Sequence, residues 1–187
     1  MSKFKGIFFD LDGTLIDSKL NFDRMREDLL FPKGAPILEE IDKIQDHKRR
    51  DNCLEIVHQH ELEGAKNSVL IEGVAEMLDS MQVPTGVLTR NSRVCAEMML
   101  SMHNLSFDHL LTREDCAPKP NPAGLVKLAN LHQLDVRDCL YVGDFLFDIQ
   151  TAHNAGMKAA LYSPSGASHG PADFQFKNYH EFQSRFL

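Results

Sequence analysis

Two aspartates stand at the point where a buried strand should end. Near the N-terminus the chain runs from the apolar segment Gly6–Phe9 directly into Asp10-Leu11-Asp12-Gly13-Thr14. Aspartate is depleted in strands and costly to bury unpaired, so a pair of them at alternate positions indicates a functional site. Alternation directs both side chains to the same side of an extended chain. An acidic turn is the alternative, because Asp-Gly is a common turn dipeptide.

Polar residues also follow or flank later apolar runs. They are Thr89 and Arg90 after Val87-Leu88, Lys119 between two prolines, and Asp144 and Asp148 after Tyr141-Val142. In open α/β sheets, ligands bind beyond the carboxyl ends of the strands. We therefore expect these side chains and the first aspartate pair to meet at one edge of a sheet.

Such a cluster suits a phosphoryl group and a hard cation. Four aspartates packed together repel one another strongly, and a bound Mg²⁺, which prefers oxygen ligands and bridges to phosphate, removes that cost. The Lys119 ammonium and the Thr89 hydroxyl are suitable partners for phosphate oxygens. The neighbouring prolines restrict the backbone around Lys119, and Gly13 allows the backbone to approach a ligand closely.

Alternating strand and helix patterns would position these groups. The strand-like runs are Ile7–Phe9, Thr85–Leu88, Phe107–Leu111, Cys139–Val142 and Met157–Tyr162. Apolar residues recur between them at helical spacing, for example in the stripe Val94, Cys95, Met98, Met99 and Met102. This alternation predicts an α/β fold, with a Rossmann-like parallel sheet covered by helices on both faces and a short terminal helix near residues 178–187.

Residues 18–68 interrupt this alternation. They show helical patterns, one of them on Phe22, Met25 and Leu29, and no convincing strand. We expect a small all-helical cap at residues 18–68, inserted after the first strand of an α/β core made of residues 1–17 and 69–187. The basic run Lys48–Arg50 is either an exposed helix face or a surface that attracts phosphate esters.

Composition narrows the class of partner. The formal net charge of −7 gives no general electrostatic reason to bind nucleic acid or an anionic membrane. No apolar stretch approaches the roughly 20 residues of a membrane span, and the early apolar run is too short for a signal peptide. The four cysteines lack paired spacing, which favours free thiols in the cytoplasm.

The chain resembles the haloacid dehalogenase (HAD)-like hydrolase superfamily. Four segments are similar to its four motifs and occur in the same order: Asp10–Thr14, Thr89, Lys119-Pro120 and Gly143–Asp148. The helical insert resembles the cap that members carry after the first motif. The chain looks closest to the phosphoglycolate phosphatase-like subgroup, with a small helical cap.

The resemblance implies a role for each motif residue. Asp10 would be the nucleophile that forms an aspartyl-phosphate, and Asp12 would be the general acid and then the general base. The phosphate would be bound by Thr89 and Lys119, and the Mg²⁺ would be held by Asp10, Asp12, Asp144 and Asp148.

Two of the candidates have a second interpretation. Asp148 could simply cap the helix that follows Asp144, since acidic residues favour helix N-termini. Arg90 is a further candidate for binding an anionic group of the substrate, and a solvated arginine in a loop is the alternative.

The presence of Asp12 distinguishes between two kinds of reaction that the superfamily catalyses. Members of the superfamily that cleave carbon–halogen bonds lack an aspartate at the position of Asp12, so the resemblance favours phosphoryl chemistry. We expect a Mg²⁺-dependent phosphatase that hydrolyses a small phosphomonoester. The alternatives are a phosphomutase of the same superfamily and a non-catalytic protein that binds a phosphorylated ligand. The expected partner is a small phosphorylated metabolite, without nucleic acid or membrane, and the expected state is a monomer or weak homodimer.

Overall fold

A computed structural model describes residues 3–187 of the chain. Contacts divide it into two compact units. One unit, here called the sheet unit, contains the described residues up to Asp17 together with Val69–Leu187. The other, here called the helical unit, is Ser18–Ser68. These are the ranges in which the sequence patterns change.

The sheet unit is built on parallel strands. In chain order the strands of the described residues are β1 (Gly6–Phe9), β2 (Ile16–Asp17), β3 (Val69–Leu70), β4 (Thr85–Leu88), β5 (His109–Leu111), β6 (Cys139–Gly143), β7 (Lys158–Tyr162) and β8 (Phe174–Phe176). Six of them form one sheet in the order β5-β4-β1-β6-β7-β8, and every neighbouring pair is parallel. Strands β2 and β3 form a separate antiparallel pair. The predicted α/β fold with a parallel sheet is confirmed.

The strand sequences explain why β1 lies at the centre. All four residues of β1 are buried, as expected for a strand of a parallel sheet that is covered on both faces. Its neighbours β4 and β6 are similarly apolar, with Val87, Leu140 and Val142 fully buried. The carboxyl end of β1 therefore lies between the carboxyl ends of β4 and β6.

Helices connect and cover these strands. In the helical unit they are α1 (Phe22–Asp28), α2 (Ile37–Asp42) and α3 (His47–Lys66), and in the sheet unit they are α4 (Val74–Asp79), α5 (Arg93–Met102), α6 (Ala123–Leu131), α7 (Leu146–Ala155) and α8 (Tyr179–Phe186). Helix α5 begins after Ser92, whose side chain accepts a hydrogen bond from the Cys95 amide. Helix α7 ends at Ala155, and the next residue, Gly156, has φ of 80° in the left-handed region.

The helical unit has an apolar core of its own. Its buried residues are Met25, Leu29, Ile37, Ile41, Cys53 and Val57. This cluster contains residues of all three helical patterns in the sequence, but Phe22 of the first pattern is 51% exposed. Lys48 and Arg49 of the basic run are exposed in the first turn of α3.

Three sequence-based details differ from the structure. The stripe predicted for α5 is buried only in its middle, because Val94 and Met102 lie at the two ends of the helix and are 59% and 48% exposed. The strand predicted to start at residue 107 starts at His109. Strand β8 was not predicted. It has only three residues and pairs with β7, and polar and apolar residues alternate over 173–177.

No helix among residues 3–187 combines the length and the apolar character needed to cross a bilayer.

Candidate active site

The sheet order brings the ends of three strands together. Asp10 follows β1, Thr89 follows β4 and Asp144 follows β6, and β1 lies between the other two strands. The backbone amide of Asp10 donates to the carbonyl of Val142 at 2.8 Å, so the β1–β6 ladder continues as far as the first aspartate. The predicted convergence at the carboxyl edge of the sheet is therefore present.

Lys119 enters this edge from the segment between β5 and α6. Its side chain is 5% exposed, and its ammonium lies 2.7 Å from Oδ1 of Asp10 and 2.6 Å from Oδ1 of Asp148. The peptide bond between Lys119 and Pro120 is cis. One buried cation thus serves two buried carboxylates that come from different strand ends.

Tyr141 is the third partner of the lysine, and sequence reasoning gave it no role. Its hydroxyl accepts from the Lys119 ammonium at 3.2 Å and donates to the carbonyl of Leu88 at 3.0 Å. The side chain is 1% exposed in β6. An ammonium has three hydrogens, and in this site the three are directed to Asp10, Asp148 and Tyr141. The sequence feature that could have identified Tyr141 is its hydroxyl, which stands two residues before Gly143 in an otherwise apolar strand.

Asp148 contacts both Lys119 and the start of α7, and its role as a metal ligand stays a prediction. Its Oδ1 accepts from Lys119, and its Oδ2 accepts from the backbone amide of Phe145 at 3.0 Å. The second bond satisfies a free amide at the start of α7. Gly143 makes room for this carboxylate, because a Cβ at Gly143 would overlap Asp148.

The turn after β1 lies against Asp144. Gly13 has φ of 80°, and a Cβ at this position would overlap the Asp144 carboxylate. The Thr14 hydroxyl donates to Oδ1 of Asp144 at 3.5 Å, the long end of the hydrogen-bonding range. Asp12 is half-buried in the same turn, where it forms a bridge with Ile16, and its charge is one of those felt by Asp144. The turn therefore places Asp12 beside the cluster of carboxylates.

Thr89 and Arg90 lie at the end of β4 in different surroundings. Thr89 is 4% exposed, and its Oγ1 accepts from the Asn91 amide at 3.1 Å. Arg90 is half-buried, and its guanidinium carbon lies 5.2 Å from the centroid of the Phe147 ring. The structure thus holds Arg90 on an aromatic ring, and its binding of an anionic group stays a prediction.

A second network fixes the segment that leads to Lys119. The carboxylate of Asp115 accepts from the amide and the hydroxyl of Thr112 at 2.8 and 2.7 Å, and from Arg93 at 2.5 Å. The Arg113 amide donates to the Asn91 carbonyl at 3.4 Å. The loop after β5 is therefore tied to α5 and to the loop that follows Thr89.

Burial and mutual repulsion raise the pKa of two carboxyls in this cluster. Burial raises the pKa of Asp10 to about 7, an effect that the Lys119 charge opposes and the Asp148 charge reinforces. Burial, and after it the charges of Asp10 and Asp148, raise the pKa of Asp144 to about 8. Burial would lower the pKa of Lys119, but Asp10 and Asp148 raise it above its usual value. The lysine therefore stays charged while the cluster keeps excess negative charge.

This donor set fits a hard divalent cation. Carboxylate oxygens of Asp10, Asp144 and Asp148 lie within 4.8 Å of one another. All of them are oxygen donors, which Mg²⁺ prefers, and a single ammonium does not balance three carboxylates. Burial is the main cause of the raised pKa values of Asp10 and Asp144, and a bound cation would favour their ionised forms.

Comparison with known proteins shows the family. The family described as haloacid dehalogenase-like hydrolase matches residues 25–162, well over half of the chain. The chain belongs to this family. The matched part of this haloacid dehalogenase-like hydrolase contains Thr89, Lys119, Asp144 and Asp148, and Asp10 and Asp12 precede it. The resemblance drawn from the motifs is therefore confirmed, and the protein is an enzyme of the hydrolase class.

Related sequences cover most of this hydrolase. A haloacid dehalogenase-like hydrolase domain-containing protein of Arabidopsis thaliana is 28% identical, over 92% of this chain and 76% of that protein. The pyrophosphatase PpaX of Bacillus cereus (strain Q1) is 29% identical, over 86% of this chain and 84% of that protein.

Solved structures show the same fold. A HAD-superfamily hydrolase of subfamily IA, variant 1, from Geobacter sulfurreducens has a TM-score of 0.71 and 26% identity, covering 97% of this chain and 98% of that chain. A putative phosphoglycolate phosphatase from Lactobacillus plantarum has a TM-score of 0.79 and covers both chains fully. Its identity of 17% supports the fold alone.

Proposed function

We propose that this hydrolase is a phosphatase that removes the phosphoryl group from a small phosphomonoester through an aspartyl-phosphate on Asp10. The observation that carries the proposal is the buried contact of 2.7 Å between Asp10 and Lys119 inside a cluster of carboxylates. A carboxylate held by a fixed ammonium is oriented for attack, and the ammonium is placed to stabilise negative charge on a phosphoryl group.

The first half of the reaction transfers the phosphoryl group to the protein. A carboxylate oxygen of Asp10 attacks phosphorus, and the bond from phosphorus to the ester oxygen breaks. The electron pair leaves with that oxygen, which takes a proton from the carboxylic acid of Asp12 and departs as an alcohol. The Lys119 ammonium and the Thr89 hydroxyl bind the other phosphoryl oxygens during this transfer.

The second half returns the protein to its starting state. The Asp12 carboxylate takes a proton from a water molecule, and the water oxygen attacks phosphorus. The bond between phosphorus and Asp10 breaks, inorganic phosphate leaves, and Asp12 is again an acid. Asp12 suits this exchange because it lies at the half-buried rim of the cluster, whereas Asp10 is 7% exposed.

Mg²⁺ is the proposed cofactor. Asp10, Asp144 and Asp148, together with Asp12, would hold it, and it would supply positive charge that neutralises the carboxylates and the transferring phosphoryl group. The support is the all-oxygen donor set with its excess negative charge. The helical unit is proposed as the cap that selects the substrate, and a small phosphorylated metabolite as the partner.

The relatives bear on the class of substrate. The structural neighbour from Lactobacillus plantarum is named a putative phosphoglycolate phosphatase, and the Bacillus relatives are named pyrophosphatases. Inorganic pyrophosphate therefore belongs in any substrate panel beside sugar phosphates, nucleoside monophosphates and phosphoglycolate.

Phosphate release from such a panel tests the proposal. The purified protein with Mg²⁺ should release phosphate from at least one ester or from pyrophosphate. Asp10→Asn should fold with an unchanged circular dichroism spectrum and release none. Interconversion of isomers with little free phosphate would instead support a phosphomutase. Absence of any turnover, including that of an activated aryl phosphate, would support a non-catalytic binding protein.

A further inference from the structure

An aromatic surface borders the candidate active site in the sheet unit. The rings of Phe145 and Phe147 meet edge to face with centroids 5.6 Å apart, and the His169 ring lies 5.9 Å from Phe145. The guanidinium of Arg90 covers Phe147 at 5.2 Å. These four side chains, from the ends of β4 and β6 and the segment after β7, are here called the aromatic platform.

The backbone fixes the platform next to the phosphoryl site. Phe145 directly follows Asp144, and its amide is bonded to Asp148. Arg90 directly follows Thr89 at the end of β4. Because β1 lies between β4 and β6, the contact between Arg90 and Phe147 joins the two strand ends that flank Asp10. A ligand whose phosphoryl group lies at Asp10 would therefore have this surface beside it.

Packing of the fold does not account for the exposed ring of the platform. Phe145 is 50% exposed, and among the phenylalanines of the described residues only Phe22, in the helical unit, is comparably exposed at 51%. Single exposed apolar residues are ordinary, but contiguous aromatic surface beside a polar site is typical of a binding surface. The ring of Phe145 contacts Phe147 and His169, its backbone amide is bonded to Asp148, and half of its surface is accessible to a ligand.

The chemistry of the platform indicates the kind of group that it contacts. An exposed aromatic face stacks on any planar ring, and an arginine over a phenylalanine ring adds a cation that attracts electron-rich rings. An uncharged aliphatic group such as an open sugar chain gains little from such a surface. The platform thus separates the ester classes that the catalytic residues alone treat alike.

We propose that the aromatic platform binds a planar aromatic ring in the leaving group, so that the enzyme prefers phosphomonoesters that carry one, such as nucleoside monophosphates. This inference rests on the proposed phosphatase function. Phe145 is then a residue that determines specificity, because it contacts the leaving group and takes no part in the chemical steps.

Two substrates with the same reacting bond test the proposal. Adenosine 5′-monophosphate and ribose 5-phosphate both present a 5′-phosphate on ribose, and they differ by the base. The wild type should show a kcat/KM for the nucleotide about tenfold above that for ribose 5-phosphate. Phe145→Leu should reduce this ratio about fivefold or more, the lower range for loss of one base–aromatic stack. Its effect on kcat/KM for ribose 5-phosphate, which has no base, should be much smaller.

The control variant is Met102→Leu, which changes a comparably exposed apolar side chain at the C-terminal end of α5 in the sheet unit and should leave the ratio unchanged. A binding comparison adds a readout that needs no turnover: Asp10→Asn should bind the nucleotide more tightly than ribose 5-phosphate by calorimetry. Adding Phe145→Leu to Asp10→Asn should remove that difference.

The outcomes separate this inference from the proposed function. If neither compound nor any other ester releases phosphate, the proposed function fails, and the binding comparison still decides on the platform. If ribose 5-phosphate is hydrolysed as well as the nucleotide, or if Phe145→Leu slows both equally, the function stands and the platform proposal is wrong. Equal binding of the two compounds to Asp10→Asn, or no binding of either, also overturns it.

Discussion

Lys119 and Asp10 form a buried ion pair at the carboxyl edge of the sheet, with 2.7 Å between the ammonium nitrogen and Oδ1. Asp10 follows β1, whereas Lys119 lies between β5 and α6. The Lys119 ammonium also contacts Asp148 at 2.6 Å. One cation therefore keeps the proposed nucleophile in place and offsets part of the charge that burial makes costly.

Lys119→Met should damage both activity and stability. Loss of a fixed positive charge at the phosphoryl site should lower kcat by about 100-fold or more, which is typical when one electrostatic contact to the transition state is removed. The free energy of unfolding should fall by about 3 kcal/mol in urea titrations, because two buried carboxylates lose their partner. Lys127→Met, on the exposed face of α6, should change neither quantity, and equal effects of the two variants would argue against a role for the ion pair.

Tyr141→Phe should weaken catalysis without loss of a charge. It removes the hydroxyl that accepts from Lys119 and leaves the Leu88 carbonyl without that donor. We expect a loss of about 1–2 kcal/mol in unfolding free energy and a several-fold decrease in kcat. Tyr179→Phe is the matched control, since its buried hydroxyl donates to the Thr14 carbonyl at 2.7 Å and has no bond to Lys119. We expect Tyr179→Phe to lose a similar amount of stability but to change kcat less. Equal decreases of kcat in the two variants would show that the Tyr141 hydroxyl has no specific role in catalysis.

Mg²⁺ should stabilise the protein through its carboxylate cluster. At a concentration 100 times its dissociation constant, a cation that binds only the folded state adds about 2.7 kcal/mol, which is visible as a higher Tm in a thermal scan. Asp144→Asn should remove most of this Mg²⁺-dependent increase. The exposed carboxylate variant Asp79→Asn should retain it. A Tm that does not respond to Mg²⁺ in the wild type would contradict the proposed cofactor.

Asp173 should make stability depend on acid pH. Burial would raise its pKa, but hydrogen bonds from the Lys158 ammonium and the Ala159 amide lower it to about 2. A folded-state pKa below the unfolded value near 4 means that the stabilisation is complete above pH 4 and is lost as the pH falls towards 2. Because Lys158 is 56% exposed, we expect only about 1 kcal/mol.

Urea unfolding of Asp173→Asn beside the wild type measures this contribution. The difference in unfolding free energy should be present at pH 7 and should shrink between pH 4 and pH 3. A difference that is the same at all of these pH values would show that the carboxylate charge is not the cause.

Sequence alone predicted the parts of the fold that repeat a simple pattern. Strands such as β1 and β6 are continuous apolar runs that end in polar residues, and that boundary identifies the functional edge of a parallel sheet. Val94 and Met102 were predicted to be buried but are exposed. Periodicity identifies the apolar face of α5, but it does not show that these two residues lie beyond the core. Strand β8 was missed because its alternating segment is only about five residues long, and its pairing with β7 depends on the folded chain.

The candidate site was predictable by residue type more than by contact. The cluster of Asp10, Asp144 and Asp148 followed from polar residues at and just after strand ends. The hydrogen bond from Lys119 to Tyr141 instead depends on how the segment before α6 folds over β6. The sequence could not decide whether Asp148 is a helix cap or a site residue, because the two carboxylate oxygens have different partners. Oδ1 accepts from Lys119, and Oδ2 accepts from the amide at the start of α7. Arg90 likewise has a partner, Phe147, that only the folded chain brings near.

Trapping the covalent intermediate tests the central claim most directly. Turnover of a phosphate ester should be quenched in acid after milliseconds to seconds, and the peptide that contains Asp10 should be analysed by mass spectrometry before and after treatment with hydroxylamine. The proposed mechanism predicts one phosphoryl group on Asp10 that hydroxylamine removes, and none in Asp10→Asn. Phosphate release at full rate without a phosphorylated Asp10 peptide, or a phosphoryl group on another residue, would contradict nucleophilic catalysis by Asp10.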